Sequence, residues 1–405
     1  MSINLKTPEM ERDPYPAYAG MRRAPGATEV AHGLTNSDML FFTRHADVMS
    51  VLKDPRFAND ARRVPGWKDW SQQWYIPSVM KLFLKSLALL DDPDHGRLRA
   101  LVHKAFTPSM IQDMNARMQT MADELLDDAA RKPVTDLMAA YALPLPLNVI
   151  CDLMGVDKRD RGKFHRWMAN TITDISTDDP IGLVTKMTNA VSLGRFLKKL
   201  VRARRADPGD DLTSALVRAE ENGSTLSEEE LLAMLMIILF AGHETTVSLI
   251  GAGTLALLQN PQQFALLKEN PDLMESAIEE LLRYASPVLH IAHRYALEDV
   301  MVGATHVPQY STVLLGVAAA NRDETVFTNP DTLDITRKPN RHIAFGFGAH
   351  YCLGAPLARL EAKIAFTTLF RRYPNLTLAA PVESLHWHGA PALRGLKKLP
   401  IRLKG

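Results

Sequence analysis

Cysteine is scarce in this chain: 405 residues contain two, Cys151 and Cys352. Two cannot make a disulfide framework, so a bridge-stapled secreted fold is excluded and a reducing compartment fits. Charge imbalance is missing as well. With 47 basic and 46 acidic side chains the formal net charge is +1, and no global field draws the chain to nucleic acid or to an acidic membrane. Long apolar runs are absent; the longest, Leu231 to Gly242, is too short to span a bilayer. The opening Met1-Ser-Ile-Asn-Leu-Lys has no apolar core for a signal peptide. Internal repeats, linkers, a dinucleotide fingerprint and a cysteine set for an iron–sulfur cluster are also lacking. The expectation is a monomeric cytoplasmic protein without a membrane anchor or a nucleic-acid partner. The length would allow two domains, but with no linker, residues 1–405 are read as one.

What is present is helical periodicity. Apolar residues are 46% of the chain, enough for a sizeable core. The pattern predicts helices over roughly 94–106, 109–130, 134–154, 158–175 and 182–204, with another starting at Gly209-Asp210-Asp211. Ser227 and Glu230 form a capping box for a long helix from Glu228 to about Leu258. Its first half is apolar on all sides, as befits a central buried helix. Strand-like runs follow Ser286-Pro287 at 290–296, 300–302 and 312–315, and the ends 376–378 and 399–403 suggest a small sheet. Residues 56–90 lack periodicity and hold Trp67, Trp70, Trp74 and Tyr75, a composition more often functional than accidental in so long a loop. The fold class is mainly α with small β-sheets.

The rest of the chain can be read around Cys352. It sits among Gly346, Gly348 and Gly354, just before a helical stripe of Leu357, Leu360, Ile364 and Leu369 with Pro356 in its first turn. A helix N-terminus favours a thiolate, which is a better nucleophile and metal ligand than a thiol. The glycines allow tight turns and close approach to a flat ligand. The cysteine alone leaves two readings open, a reactive or ligating thiolate and a buried structural residue. The pattern Phe-Gly-x-Gly-x-His-x-Cys-x-Gly, from Phe345 to Gly354, is more specific. Its expected chance count in a chain of this length is on the order of 10⁻⁶ from ordinary residue frequencies. It resembles the haem-ligand signature of the haem-thiolate monooxygenases, the cytochrome P450 family, and most of all its soluble bacterial branch. The resemblance covers nearly the whole chain.

That resemblance implies a single P450-type domain with haem b between the long central helix and the cysteine loop. Cys352 would be the metal ligand and Phe345 would shield its sulfur. A second match lies in the long helix, where Ala241-Gly242-His243-Glu244-Thr245-Thr246 interrupts apolar sequence. Small residues there admit another group, a hydroxyl can bond back to a carbonyl, and a buried carboxyl is costly unless paired or protonated. By the family's pattern Thr245 would hydrogen-bond dioxygen and Glu244 would help relay protons; His243 has no assigned role and is read as packing. Glu280-Leu-Leu-Arg283, by itself an ordinary surface pair, matches the family's Glu-x-x-Arg element, with Arg337 as the third member. His95 and Arg99 (i, i+4), Arg294 and His350 match the family's partners for the haem propionates, while Arg97 would point elsewhere.

The implied function is oxygenation of a hydrophobic small molecule by O2, through hydroxylation or epoxidation. Polyketides, terpenoids, steroids and fatty acids are the substrate classes. Electrons would come from a ferredoxin and its NAD(P)H-dependent reductase, docking near Lys104, Arg341, Arg359 and Lys363. The pocket would draw on 65–90, Ile238 to Ala241, Val288 to His293 and Gly389 to Leu393. A peroxide-driven enzyme of the same fold is the alternative, disfavoured by Glu244-Thr245, and a non-catalytic haem binder is the other.

Overall fold

Residue Ser227 accepts from the Glu230 N–H at 3.2 Å while the Glu230 carboxylate accepts from the Ser227 N–H at 2.8 Å. This closed box starts the helix Glu228–Gln259, with acids at 228, 229 and 230 facing the positive end of its dipole. The computed structural model describes all residues except 1–2, 6, 32–37, 68–80, 83–84, 173–179, 222, 391 and 405. Among them this helix is the centre of the molecule, packed by helices Pro144–Leu153, Met274–Ala285 and Ala355–Arg372 and by strand Leu393–Leu396. The full helix is long and apolar enough to cross a bilayer, which the uninterrupted apolar run understated. Its apolar surface is instead covered by the protein's own core. That core gathers residues from Leu87 to Leu403, and two smaller clusters pack around the largest sheet.

Close approach to the long helix depends on two of its glycines. A Cβ on Gly253 would lie 2.8 Å from the Phe366 ring and 3.3 Å from Leu281, and one on Gly251 would meet the flexible end of Met138. Phe366 is fully buried and stacked on Phe370 at 5.7 Å, so it has little room to yield. Gly253→Ala is expected to destabilise the protein by about 1–2 kcal/mol, overpacking outweighing the gain in helix propensity. Equilibrium urea unfolding reads this as a lower midpoint.

Two predicted helices are broken. The 109–130 pattern forms Pro108–Asp113 and Asn115–Ala129, bent at Met114, and no proline or glycine marks the bend. The 134–154 pattern begins instead as a strand, Thr135–Asp136, because the Asp136 carboxylate accepts from the N–H groups of Met138 and Leu399. A wide turn over Met138–Ala142 follows, with Leu143 N–H reaching back to Met138 O, before the helix resumes at Pro144, which has no N–H to donate. Helices Lys158–Ile172 and Pro180–Ala206 match their patterns, though 173–175 lie outside the described residues.

The largest sheet has the order Thr28–Ala31, Asp38–Phe42, Thr312–Leu315, Ile291–Ala296, Phe57–Ala58. Its pairs are antiparallel except that Thr312–Leu315 runs parallel to Asp38–Phe42. Register places Arg294 opposite Val313, so its side chain leaves the sheet on a fixed face. A hairpin missed by the sequence reading, Trp387–Ala390 with Leu393–Leu396, docks on the segment after the Glu-x-x-Arg helix: Leu289 N–H donates to Ala392 O at 2.8 Å and Arg394 N–H to Pro287 O at 2.9 Å.

The Glu-x-x-Arg pair is no surface pair. Glu280 and Arg283 are both 0% exposed, joined by two bonds of 2.8 Å, and Arg337 reaches Glu280 at 3.1 Å. Arg283 also donates to the carbonyls of Asn321, Pro330 and Thr332, tying the irregular chain that leads to Cys352 onto helix Met274–Ala285.

Candidate active site

The cysteine loop is shaped by backbone first. Gly346 and Gly348 have φ of +71° and +74°, the left-handed region that favours glycine. They fold the chain so that Cys352 N–H donates to Phe345 O at 2.9 Å. Helix Ala355–Arg372 then starts without a side-chain cap at Gly354. The N–H groups of Gly354 and Ala355 lie against the Cys352 sulfur, and that of Ala355 also donates to Cys352 O at 3.4 Å. Cys352 is exposed as a residue, yet protein crowds the sulfur enough for desolvation to raise the thiol pKa; the two N–H donors and the cations Arg99 and Arg359 act the other way. Phe345 is half-buried against the main core, at the opposite end of the loop.

Beside the loop lies a cationic cluster drawn from distant segments. The His95 and His350 rings lie 4.0 Å apart, centroid to centroid. Asn59 Nδ2 is 2.5 Å from His350 Nε2 and also donates to Asp91 at 3.2 Å. With Asn59 as donor, His350 accepts at Nε2 and is neutral. Burial, reinforced by the charges of His95 and Arg294, pushes its pKa down to about 3. Arg294 is 6% exposed, and burial lowers its pKa to about 10 against the opposing charge of Asp91. Arg99 donates to Tyr351 O at 2.7 Å. The Nε2 of buried His95 has no hydrogen-bond partner among the described residues. Two arginines and an orphaned imidazole nitrogen, set against Asp91 and the exposed Asp92, suit an added anion.

On the long helix, burial is nearly continuous from Leu231 to Leu257 apart from a stretch at its middle. Ile237, Ile238, Ala241 and Thr245 fall on one face of that stretch, and Ala241 is exposed outright. Thr245 Oγ1 donates to Ala241 O at 2.9 Å, which leaves the oxygen's lone pairs on the open face. Glu244 is buried, and desolvation alone raises its carboxyl pKa. Among the described residues neither ring nitrogen of buried His243 has a hydrogen-bond partner, and burial pushes its pKa down to about 4.

The sequence matches the Cytochrome P450 family over residues 70–387. The chain belongs to the cytochrome P450 family. It is 42% identical over 363 residues to the polyketide biosynthesis cytochrome P450 PksS of Bacillus subtilis (strain 168), covering 89% of this chain and 88% of that one. To the 6-deoxyerythronolide B hydroxylase of Saccharopolyspora erythraea it is 37% identical over 406 residues, covering 99% of both. Among solved structures, the myxobacterial cytochrome P450 CYP267B1 in complex with myristic acid superposes with a TM-score of 0.89 at 39% identity, covering 99% of each chain. The expected fold is therefore the observed one, and the protein is a P450 monooxygenase with a haem-iron cofactor.

The residues of this P450 fit that cofactor. The sulfur with two N–H donors suits a metal thiolate, the cationic cluster suits carboxylates, and the open face at Ala241 leaves room beside the long helix. The structure brings His95, Arg99, Arg294, His350 and Cys352 into one neighbourhood, with Phe345 and Gly354 joined to Cys352 through the loop. Ala241, Glu244 and Thr245 form a second group on the long helix. Arg97 points away, pairing with Glu230. Asn59 and Asp91 were missed; Asp91 lies four residues before His95, whereas Asn59 has no sequence signal. Of the docking cations, Arg359 and Lys363 are paired with Glu279 and Glu275 at 2.6 Å each. Two pocket segments meet, Val288 bridging to Leu393. The aromatics Trp70, Trp74 and Tyr75 lie outside the described residues; Trp67 sits 6.2 Å from the Tyr295 ring. His290 is buried edge-on to Phe41 at 6.3 Å, a packed rather than a free histidine.

Proposed function

We propose that residues 1–405 form one haem b monooxygenase domain, Cys352-ligated, that hydroxylates or epoxidises a hydrophobic substrate of polyketide type. The observation that carries the ligand assignment is the Cys352 sulfur beneath the N–H groups of Gly354 and Ala355. The polyketide class is supported by PksS and 6-deoxyerythronolide B hydroxylase, whose names carry that chemistry. We place the enzyme in the cytoplasm and take its electrons from a ferredoxin and an NAD(P)H-dependent reductase. The overall balance is R–H + O2 + 2e⁻ + 2H⁺ giving R–OH + H2O.

Bound haem supplies the site at which dioxygen is reduced and the substrate oxidised. Cys352 would hold it and would supply electron density to the iron. His95, Arg99, Arg294 and His350 would hold the propionates, with Asn59 fixing the His350 ring. Phe345 keeps water from the sulfur. Beside the open face of the long helix, Glu244 offers a carboxyl whose pKa burial raises, and Thr245 presents a hydroxyl oxygen able to accept a hydrogen bond while its own hydrogen rests on Ala241 O. Ala241 and Gly354 leave the space a flat ligand needs.

The substrate test is a ligand screen by haem spin-state shift with macrolide polyketides, steroids and fatty acids, followed by product mass. Polyketides are expected to bind tightest and gain one oxygen; a steroid or fatty acid that alone shifts the spectrum and turns over would replace the class. Thr245→Ala is expected to keep consuming electrons while product per NAD(P)H falls by about 10²-fold, the lower end of what a positioned group in a proton-transfer path contributes. Peroxide release rises in step. Unchanged coupling would remove Thr245 from the mechanism.

A further inference from the structure

Arg359 was expected on the surface that meets the electron donor, yet its guanidinium is turned to the protein. It lies on helix Ala355–Arg372 and makes a two-point pair with Glu279, Nε to Oε1 at 2.6 Å and Nη2 to Oε2 at 2.8 Å. Nη1 donates to the Tyr351 hydroxyl at 3.3 Å, and the guanidinium lies 4.5 Å from the centre of the Phe345 ring. Phe345 and Tyr351 are the two ends of the cysteine loop; the first receives the Cys352 N–H and the second immediately precedes Cys352. Glu279 is held from its other side by His342 Nε2 at 3.0 Å. His342 Nδ1 accepts from the Ala344 N–H at 3.2 Å, so Nε2 is the donor to Glu279. Helix Met274–Ala285, the chain before the loop and the ligand helix thus meet at one carboxylate.

Burial by itself would raise the Glu279 pKa; its bonds to Arg359 and His342 outweigh that and hold it at about 2. Glu279 is therefore a fixed negative charge, matched to a fixed positive one whose field reaches the Cys352 sulfur. A cation engaged at two points by a carboxylate is poorly placed to capture an acidic partner, because docking would first have to break the pair.

We propose that Glu279, His342 and Arg359 are positioning residues for the haem thiolate: Arg359 grips both ends of the cysteine loop, and the Glu279–Arg359 charge balance sets the reduction potential of the iron. This rests on Cys352 being the ligand. An unmatched cation near the iron favours the reduced state, which carries one positive charge fewer, and an unmatched anion favours the oxidised state. Arg359 is about a third exposed, so solvent screens the effect without changing its sign.

The test is spectroelectrochemical titration of the substrate-free holoenzyme. Glu279→Gln, nearly isosteric, is expected to shift the potential upward. Arg359→Met is expected to shift it downward, and the double variant to return towards wild type. A purely structural clamp would move both single variants the same way, and a docking residue would raise the ferredoxin KM in Arg359→Met with no change in potential; either result overturns the proposal. Arg359→Lys, which keeps the charge but not the fork, covers the case in which Arg359→Met fails to fold, and is expected to stay nearer wild type in potential than Glu279→Gln. The reduced carbon-monoxide spectrum is recorded alongside. If wild type itself lacks the thiolate-type band, the ligand assignment has failed; opposite shifts that vanish while the band persists sink only the charge balance.

Discussion

Replacing Cys352 with serine is expected to abolish the thiolate-type band of the reduced carbon-monoxide complex and, with it, turnover. The loop should survive the change. Its shape comes from the positive φ of Gly346 and Gly348 and from Cys352 N–H donating to Phe345 O, none of which uses the sulfur. A serine oxygen can accept the same Gly354 and Ala355 N–H groups. What it cannot do is ionise at working pH, so the electron density that a thiolate pushes toward the iron is lost. Cys151 offers no substitute. It is buried in helix Pro144–Leu153 and desolvation pushes its thiol pKa up to about 12, so Cys151→Ala should leave the band intact. A band that survives in Cys352→Ser would falsify the ligand assignment, and a band lost in Cys151→Ala would move it.

How much of this arrangement the sequence exposes depends on whether a feature is local. The long helix is legible because its start is a four-residue device, Ser227 to Glu230, and its end lies within a residue of the expected one. The cysteine loop is legible because positive-φ glycines and a helix start leave their mark in consecutive residues. The hairpin Trp387–Ala390 with Leu393–Leu396 is not, since Trp-His-Gly-Ala and Leu-Arg-Gly-Leu are short, carry a glycine each and lack the β-branched residues that signal a strand. The cationic cluster beside the cysteine loop is legible only in part. His95 and Arg99 share a helix face, but the approach of Asn59 to His350 joins residues 291 apart in sequence, and no local pattern encodes it. Arg359 shows the same limit from the opposite side. As one of several cations near the cysteine it reads as solvated surface, and only the fold reveals Glu279 beneath it.

Glu280 illustrates this most sharply, and it carries the largest expected stability effect. An acid and an arginine at i, i+3 read as a surface pair worth a few tenths of a kcal/mol. In the fold both are fully buried, and Glu280 accepts from Arg283, Arg337, the Asp334 N–H and Asn340. Removing the carboxylate strands two guanidiniums in a site with little water, since Arg337 is 9% exposed at its side chain and Arg283 not at all. Glu280→Ala is therefore expected to cost about 3–5 kcal/mol, the penalty for leaving buried charge unpaired. Glu280→Gln should cost less, because an amide oxygen still accepts one of the arginine donors. The loss should be felt beyond the helix. Arg283 and Arg337 anchor the carbonyls of Thr328, Pro330 and Thr332, on the chain that leads through Asn340 to the cysteine loop. Urea unfolding followed by both far-UV circular dichroism and haem absorbance checks this. The haem signal should be lost at a lower urea concentration than the helical signal in Glu280→Ala, because the brace fails first where it holds the loop. A variant whose midpoints stay at wild-type values would show that the buried pair is dispensable and that the core alone holds Cys352 in place.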